Sequence, residues 1–333
     1  MTPAIFFLSD YGHRDEFVGV VHAVLQRLAP DTRVVDLGHE VAPFDVTAGA
    51  RMLVRAVPFC GPGVVLAVVD PGVGTCRRGV AIEVVGDPGA AGHPVVAHAD
   101  RPATAPVPVP AHAGGPTWLV GPDNGLLLPA AAALGGIRRA VGLAGVSTFD
   151  GRDVFAPAAA ALVVGRAPEL FGDAIDPEHL VRSPDLAAPS SRPPDAGRRP
   201  DPSTGAVTVA VTWIDTFGNV QLDCRPEWLG RAIGIGSRLT LTTADEGGPP
   251  GSGPAGRWTV RHVRAFGDLA DGELGLLVDG NGQLAIVANR ASAARILGLE
   301  GRPPVGAERP MAPPEDRTPA ESVAGPRLRL VFP

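Results

Sequence analysis

The stretch AIFFLSDYG (residues 4–12) is an apolar run that breaks abruptly into a polar turn, Ser9-Asp10-Tyr11-Gly12. Such a run reads as a buried strand ending in a loop. Working outward, Phe17, Val20, Val21, Val24, Leu25 and Leu28 recur at helical spacing, and Pro30 stops that helix. Val34 to Leu37 reads as a second strand and Thr47 to Val57 as a second helix. Val64 to Val69 is an unbroken, mostly β-branched run that ends in Asp70-Pro71-Gly72. Strand–helix–strand–helix–strand is the pattern of an α/β domain with a mainly parallel sheet. Ligands gather at the carboxyl ends of strands in such sheets. Two of these strands end in an aspartate, Asp10 and Asp70.

Further along, Trp118 to Val120 reads as another strand and residues 155–165 as an Ala-rich helix. Residues 86–116 are rich in Gly, Pro and Ala and read as a surface insertion, and His93, His98 and His112 within it have no metal-ligand spacing. Residues 183–205 are a Pro-rich linker on composition. The N-terminal α/β domain is therefore expected over 1–182. Val207 to Ile214, Arg238 to Thr243, Arg257 to Val263, Gly275 to Val278 and Leu284 to Ala288 read as short strands, a small β-barrel or sandwich over 206–300. A Gly/Pro-rich insertion covers about 245–256 and a short helix, Ala291 to Leu297, closes the domain. The tail from 301 to 333 is expected to be disordered.

The 333 residues suffice for about two domains, and 45% are apolar. The net charge of −6 argues against a nucleic-acid partner. All 29 cationic residues are Arg. Without lysine there is no Schiff-base, P-loop or kinase chemistry. Cys60, Cys76 and Cys224 are scattered and odd in number, which fits a reducing cytoplasm better than a disulfide framework. The N-terminus has no basic segment before its apolar run, and no run is long enough to span a bilayer, so no membrane partner is expected.

Four polar turns follow apolar runs in the first domain: residues 9–12, 70–78, 121–125 and 149–153. A fifth, Asp215-Thr216-Phe217-Gly218-Asn219, opens the second. Each pairs carboxylate or amide groups with glycine. Alone, any of them is ordinary turn chemistry. Together they suit a polar small molecule bound by carboxylate and amide acceptors. Gly72-Val73-Gly74 lacks the rest of a dinucleotide fingerprint, and no GxSxG occurs. Asp36 and His39 fall near Asp10 and His13 in this topology, as in a metal phosphoesterase, but without a paired His–Asp signature solvated loop residues are the preferred reading.

The order and spelling of these turns resemble the S-adenosylmethionine hydroxide adenosyltransferase family, whose relatives include the fluorinase and chlorinase. The stretches are FLSDYGHRDEFVGV (7–20), VVDLGHEVAPFDVTAGA (34–50), VVDPGVGTCRR (68–78), VGPDNGLL (120–127), STFDGRDVFAP (147–157), IDTFGN (214–219) and LAIVANRASAARILGL (284–299). The resemblance implies a β-barrel-like C-terminal domain. It implies a homotrimer with S-adenosylmethionine bound between one subunit's N-terminal domain and its neighbour's C-terminal domain. The compound is the substrate, and neither a metal nor a separate cofactor is implied. By motif, Asp10 would hold the ribose hydroxyls, Asp215 the methionine ammonium, and Phe217 with Asn219 the adenine. Asp123 and Asn124 keep their family identities as binding residues.

In the hydrolase branch of that family an Asp-Arg-His set manages the attacking water. Asp70 and Arg77 match its first two members, and Asp150 stands where the histidine belongs. The C-terminal Asn-Ser before a glycine, which helps bind the methionine carboxylate, is replaced by Asp279-Gly280-Asn281-Gly282, with Asn281 or backbone amides as the substitute. The implied reaction is hydrolysis to adenosine and methionine. The rivals are a halogenase of the same family and a non-catalytic S-adenosylmethionine-binding protein. Arg77 is expected to lower the pKa of Asp70. Asp70 and Asp150 should repel one another unless Arg77 or Arg152 lies between them.

Overall fold

The computed structural model describes residues 2–86, 117–145, 147–182, 206–224, 226, 234–243, 256–280, 282–299 and 327–331. The insertion at 87–116, the linker at 183–205, the insertion at 244–255 and Asn281 lie outside the described residues. The chain divides into two compact units, Met1–Pro189 and Ser190–Pro333.

The first unit is an α/β layer. Its elements are β1 (Ala4–Ser9), α1 (Phe17–Leu28), β2 (Arg33–Gly38), α2 (Val46–Ala56), β3 (Gly63–Val68), β4 (Gly79–Val84), β5 (Trp118–Pro122), α3 (Leu128–Ala133), β6 (Ile137–Leu143), α4 (Ala156–Val163) and β7 (Ala174–Ile175). The sheet order is β2-β1-β3-β5-β4-β6-β7. β2, β1, β3 and β5 run parallel, β4 is antiparallel to both of its neighbours, and β7 is antiparallel to β6. Five of the seven strands thus point the same way, as the sequence suggests.

β1 and β3 read as continuous apolar runs because both faces are covered. Every residue of β3 is buried, and so are all but the first of β1. Helix α1 buries Val18, Val21 and Leu25. The buried alanines of α4 let it pack close, over a core that includes Ile5, Phe7, Leu66 and Phe155. Asp45 caps α2 by accepting a hydrogen bond from the Ala48 N–H at 2.8 Å.

The chain leaves β1 toward β2 on one side, and the sheet continues through β3 to β5 on the other. The carboxyl ends of β1 and β3 therefore meet at a topological switch point, where open α/β sheets bind ligands. Ser9 pairs with Val68 there, so Asp10 and Asp70 emerge side by side.

The second unit is a closed barrel in the order β10-β11-β12-β13-β9-β8-β14. Its elements are β8 (Ala206–Ile214), β9 (Val220–Leu222), β10 (Arg238–Thr243), β11 (Arg257–His262), β12 (Leu274–Val278), β13 (Leu284–Ala288), α5 (Ala293–Ile296) and β14 (Arg327–Val331). Alternate residues such as Val207, Val209 and Val211 fill its interior. One expectation is overturned. The tail from 301 is not disordered throughout, because Arg327–Val331 forms β14 and closes the barrel between β8 and β10. Its alternation of Arg with Leu, read alone, is too short to outweigh the Pro-rich surroundings. Leu328 and Leu330 have no exposed surface.

Candidate active site

The strand ends bring the sequence-predicted groups of the first unit together. Asp70 follows β3, Arg77 precedes β4, and Asp150 precedes the wide helical turn Gly151–Phe155 that opens α4. The Arg77 guanidinium lies between the two carboxylates. Its Nε donates to Asp70 Oδ1 at 3.0 Å, and its Nη2 donates both to Asp70 Oδ2 and, at 2.6 Å, to Asp150 Oδ2. The Phe155 ring supports the guanidinium from 5.3 Å. The three side chains are 6%, 9% and 4% exposed for Asp70, Arg77 and Asp150, so the set is almost dry. Asp150 Oδ1 accepts from the Ser147 N–H at 2.7 Å. Both of its oxygens thus act as acceptors, the only role an ionised aspartate can play.

The expected lowering of the Asp70 pKa is not what the structure gives. Arg77 does pull it down, but burial pushes harder in the other direction and Asp150 adds to that push, so the net shift is upward. Tyr11, the single tyrosine of the chain, sits against the same groups. Its ring packs edge-on against Phe149 at 5.5 Å. Burial raises its hydroxyl pKa, and the charges of Asp10, Asp70 and Asp150 add to that. The quoted turn contains Tyr11, yet sequence reasoning gives it no role; its solitary occurrence beside Asp10 is the available signal.

Asp10 Oδ2 accepts from the Phe44 N–H at 2.9 Å, and burial pushes its pKa up. Phe44 holds that N–H in place with φ at 68°, a left-handed conformation that a bulky residue adopts only under tertiary constraint. Ser9, one residue before Asp10, has its hydroxyl 2.8 Å from His39 Nδ1. His39 is buried, contrary to the solvated-loop reading, and burial lowers its pKa. The Phe7 ring that covers it lies 4.6 Å away. His22 and His39 both approach Asp36, and among the described residues this is the grouping that could hold a metal ion.

Asp123 and Asn124 are differently employed. Asp123 Oδ2 accepts from Arg78 Nη2 at 2.6 Å and Nε at 3.1 Å, while Oδ1 accepts from the Val181 N–H at 2.8 Å. Asn124 donates to the Val69 carbonyl at 2.9 Å and accepts from the Leu126 N–H at 3.2 Å. Each ties the loop after β5 to neighbouring chain, and their polar atoms are taken up by the protein itself.

In the second unit Asp215, Phe217 and Asn219 share the turn between β8 and β9. Asp215 Oδ1 accepts from the Phe217 and Asn219 N–H groups, both at 2.9 Å, and Oδ2 accepts from Asn219 Nδ2 at 2.8 Å. The carboxylate fixes its own loop and leaves Phe217 80% exposed. Gly218 has φ at 81°, and a Cβ there would fall 2.1 Å from Ser292 Oγ, so only glycine fits.

Family models for the N-terminal and C-terminal domains of SAM hydroxide adenosyltransferases match residues 5–88 with 102–172 and residues 209–306. The chain belongs to the SAM hydroxide adenosyltransferase family. A relative from Salinispora tropica named (R)-S-adenosyl-L-methionine hydrolase is 42% identical over 306 residues, 90% of this chain and 95% of that protein. A fluorinase from Actinoplanes is more distant, 27% identical over 308 residues, 88% of this chain and 93% of that one. The crystal structure of an uncharacterized conserved protein from Thermotoga maritima has the same fold, with a TM-score of 0.68 over 98% of this chain and 99% of that one at 24% identity.

Proposed function

We infer that this SAM hydroxide adenosyltransferase hydrolyses S-adenosylmethionine to adenosine and methionine. The observation that carries the reading is the buried Asp70–Arg77–Asp150 set at the switch point, in a chain 42% identical to a protein named for that hydrolysis. The relative's name specifies the R configuration at sulfur, and the proposal adopts that epimer as the substrate.

The reaction is a single displacement. A water oxygen bonds to C5′ as the C5′–S bond breaks, and the bonding pair stays on sulfur as the methionine thioether. The sulfonium loses its charge, so a carboxylate beside sulfur would favour the ground state and slow the step. The attacking water gains positive charge and sheds a proton. Two carboxylates against one guanidinium leave the Asp70–Arg77–Asp150 set negative, which favours that water over an anionic nucleophile. Asp70 orients the water and accepts its proton, and the upward shift of its pKa makes it the stronger base. Asp150 is a positioning residue. It fixes Arg77, which in turn fixes both oxygens of Asp70 in line with the scissile bond.

Asp10, Asp215, Phe217, Asn219 and Asn281 are proposed to hold the substrate, Asp10 through the ribose hydroxyls and Asp215 through the ammonium. Asp123 and Asn124 are proposed to border the substrate as well, from the loop after β5 that their own hydrogen bonds hold in place. Assembly as a homotrimer with shared sites and residence in the cytoplasm belong to the same proposal. The exposed free thiol of Cys76 suits a reducing compartment, and no described helix is long and apolar enough to cross a membrane.

The test is incubation with each sulfur epimer in chloride-containing and chloride-free buffer, followed by chromatography. Adenosine and methionine in both buffers are expected. A chlorinated nucleoside formed only with chloride would assign a halogenase, and binding without product would assign a binding protein.

A further inference from the structure

Outside the proposed reaction centre, three side chains converge from separate parts of the first unit. His22 comes from α1, Asp36 from β2, and His39 from the residue after β2. Both imidazoles direct Nε2 at the same oxygen, Asp36 Oδ1, at 2.8 Å for His22 and 3.1 Å for His39. The three donor atoms lie within 4.8 Å of one another.

The His39 ring is the buried member of the three. Its Nε2 is fully buried and makes no hydrogen bond of acceptable direction, although Asp36 is close. Its Nδ1 lies 2.8 Å from Ser9 Oγ. In the tautomer that carries the proton on Nδ1 and donates it to Ser9, the lone pair of Nε2 faces the carboxylate. A lone pair facing an anion is repulsive unless a cation stands between them. A ligating histidine whose other nitrogen donates to an oxygen is the usual support of a metal site.

We propose that His22, Asp36 and His39 bind a divalent metal ion of the zinc class. Two imidazoles and one carboxylate are a zinc donor set with a fourth position open to water. Closing the donors onto an ion needs only small side-chain shifts, because ligand separations around tetrahedral zinc are of the order of the distances present. His22 and Asp36 are each part-exposed, which gives an ion access from solvent. The ion is assigned no part in the hydrolysis. It pins α1 to β2 and, through His39 and Ser9, steadies the end of β1 next to Asp10.

The experiment uses the full chain, stripped with a chelator and titrated with zinc against a chromogenic competitor, and separately with cobalt followed by visible absorption. One ion per chain is expected, with an intense cobalt band of low symmetry and a zinc-induced rise in melting temperature. His22→Ala and Asp36→Asn should abolish the band and the rise, and Ser9→Ala should weaken binding about 10-fold as loss of the supporting oxygen. His22 is part-exposed on a helix surface, so its variant is expected to fold, and its far-ultraviolet dichroism checks that. No stoichiometric binding by the wild type, or equal binding by the folded His22→Ala variant, overturns the proposal.

Discussion

Arg77 Nη2 lies 2.6 Å from Asp150 Oδ2 while the same guanidinium clasps Asp70. One cation thus separates two buried carboxylates that are 80 residues apart in sequence. The position where the family resemblance implies a histidine is filled by a group that can only accept, and it receives two donors.

Removing that cation should be costly on two counts. Arg77→Ala leaves two carboxylates buried without their partner, so stability should fall by about 3–5 kcal/mol. Hydrolysis should fall by on the order of 100-fold, since Asp70 loses its alignment. Arg77→Lys should rescue part of the stability and little of the rate, because a point charge cannot reproduce the fork. Thermal melts and steady-state kinetics on the three proteins check this. A kcat unchanged in Arg77→Ala would contradict the assignment of Asp70 and Arg77.

Asp150→His should preserve or raise turnover. The imidazole can take the Arg77 contact and restore the donor that an aspartate lacks. Asp150→Ala should reduce kcat by disordering Arg77 while leaving KM within a few-fold. Complete loss of activity in Asp150→His would mean that the carboxylate has an essential role of its own.

The acid limb of the pH–rate profile should sit above 3.8, the ordinary value, because the net shift of Asp70 is upward. Protonated Asp70 cannot accept the water's proton, so the rate falls as pH drops through its pKa. Asp70→Asn should remove that limb along with most of the rate. Stability has the opposite sign. The folded state binds this proton more tightly than the unfolded chain, so Asp70's contribution declines as pH rises from its unfolded to its folded pKa.

Tyr11 and Gly151 form a close approach that admits no extra carbon. A Cβ at residue 151 would lie 2.0 Å from the Tyr11 hydroxyl oxygen. Gly151→Ala should therefore destabilise by about 1–3 kcal/mol through overpacking. Tyr11→Phe removes the clashing oxygen, so the double variant should recover part of that loss. A double-mutant cycle without coupling would show that the two residues do not meet as described.

Truncation after residue 326 tests the barrel closure. It removes two leucines with no exposed surface, worth about 3–6 kcal/mol together, and opens the edges of β8 and β10. The second unit should melt earlier and aggregate. An unaltered melt would restore the reading of the whole tail as disordered.

Much of this was legible in the residues. The unbroken apolar runs of β1 and β3 need cover on both faces, and that alone implies a parallel sheet with helices against it. Their terminal aspartates mark the ligand end. β4 and β6 give no clear strand signal, because Gly79–Val84 follows a long polar turn and Ile137–Leu143 carries two arginines. Asp123 and Asn124 read as ligand groups, and the structure adds a task that the turn of acid, amide and glycine does not reveal, tying the loop after β5 to Arg78 and Val69.

The sequence by itself determined β1 to β3 with α1 and α2, five of the seven barrel strands, where polar turns interrupt them, and which family the order of those turns resembles. These follow from local periodicity and from residue types at short spacing. Only the tertiary structure decided that Arg77 stands between Asp70 and Asp150, that Tyr11 meets Gly151, that His39 is buried against Asp36, and that Arg327–Val331 seals the barrel. Most of these join segments far apart in the chain, where strand register and burial, not local preference, set which atoms meet and which charge outweighs another.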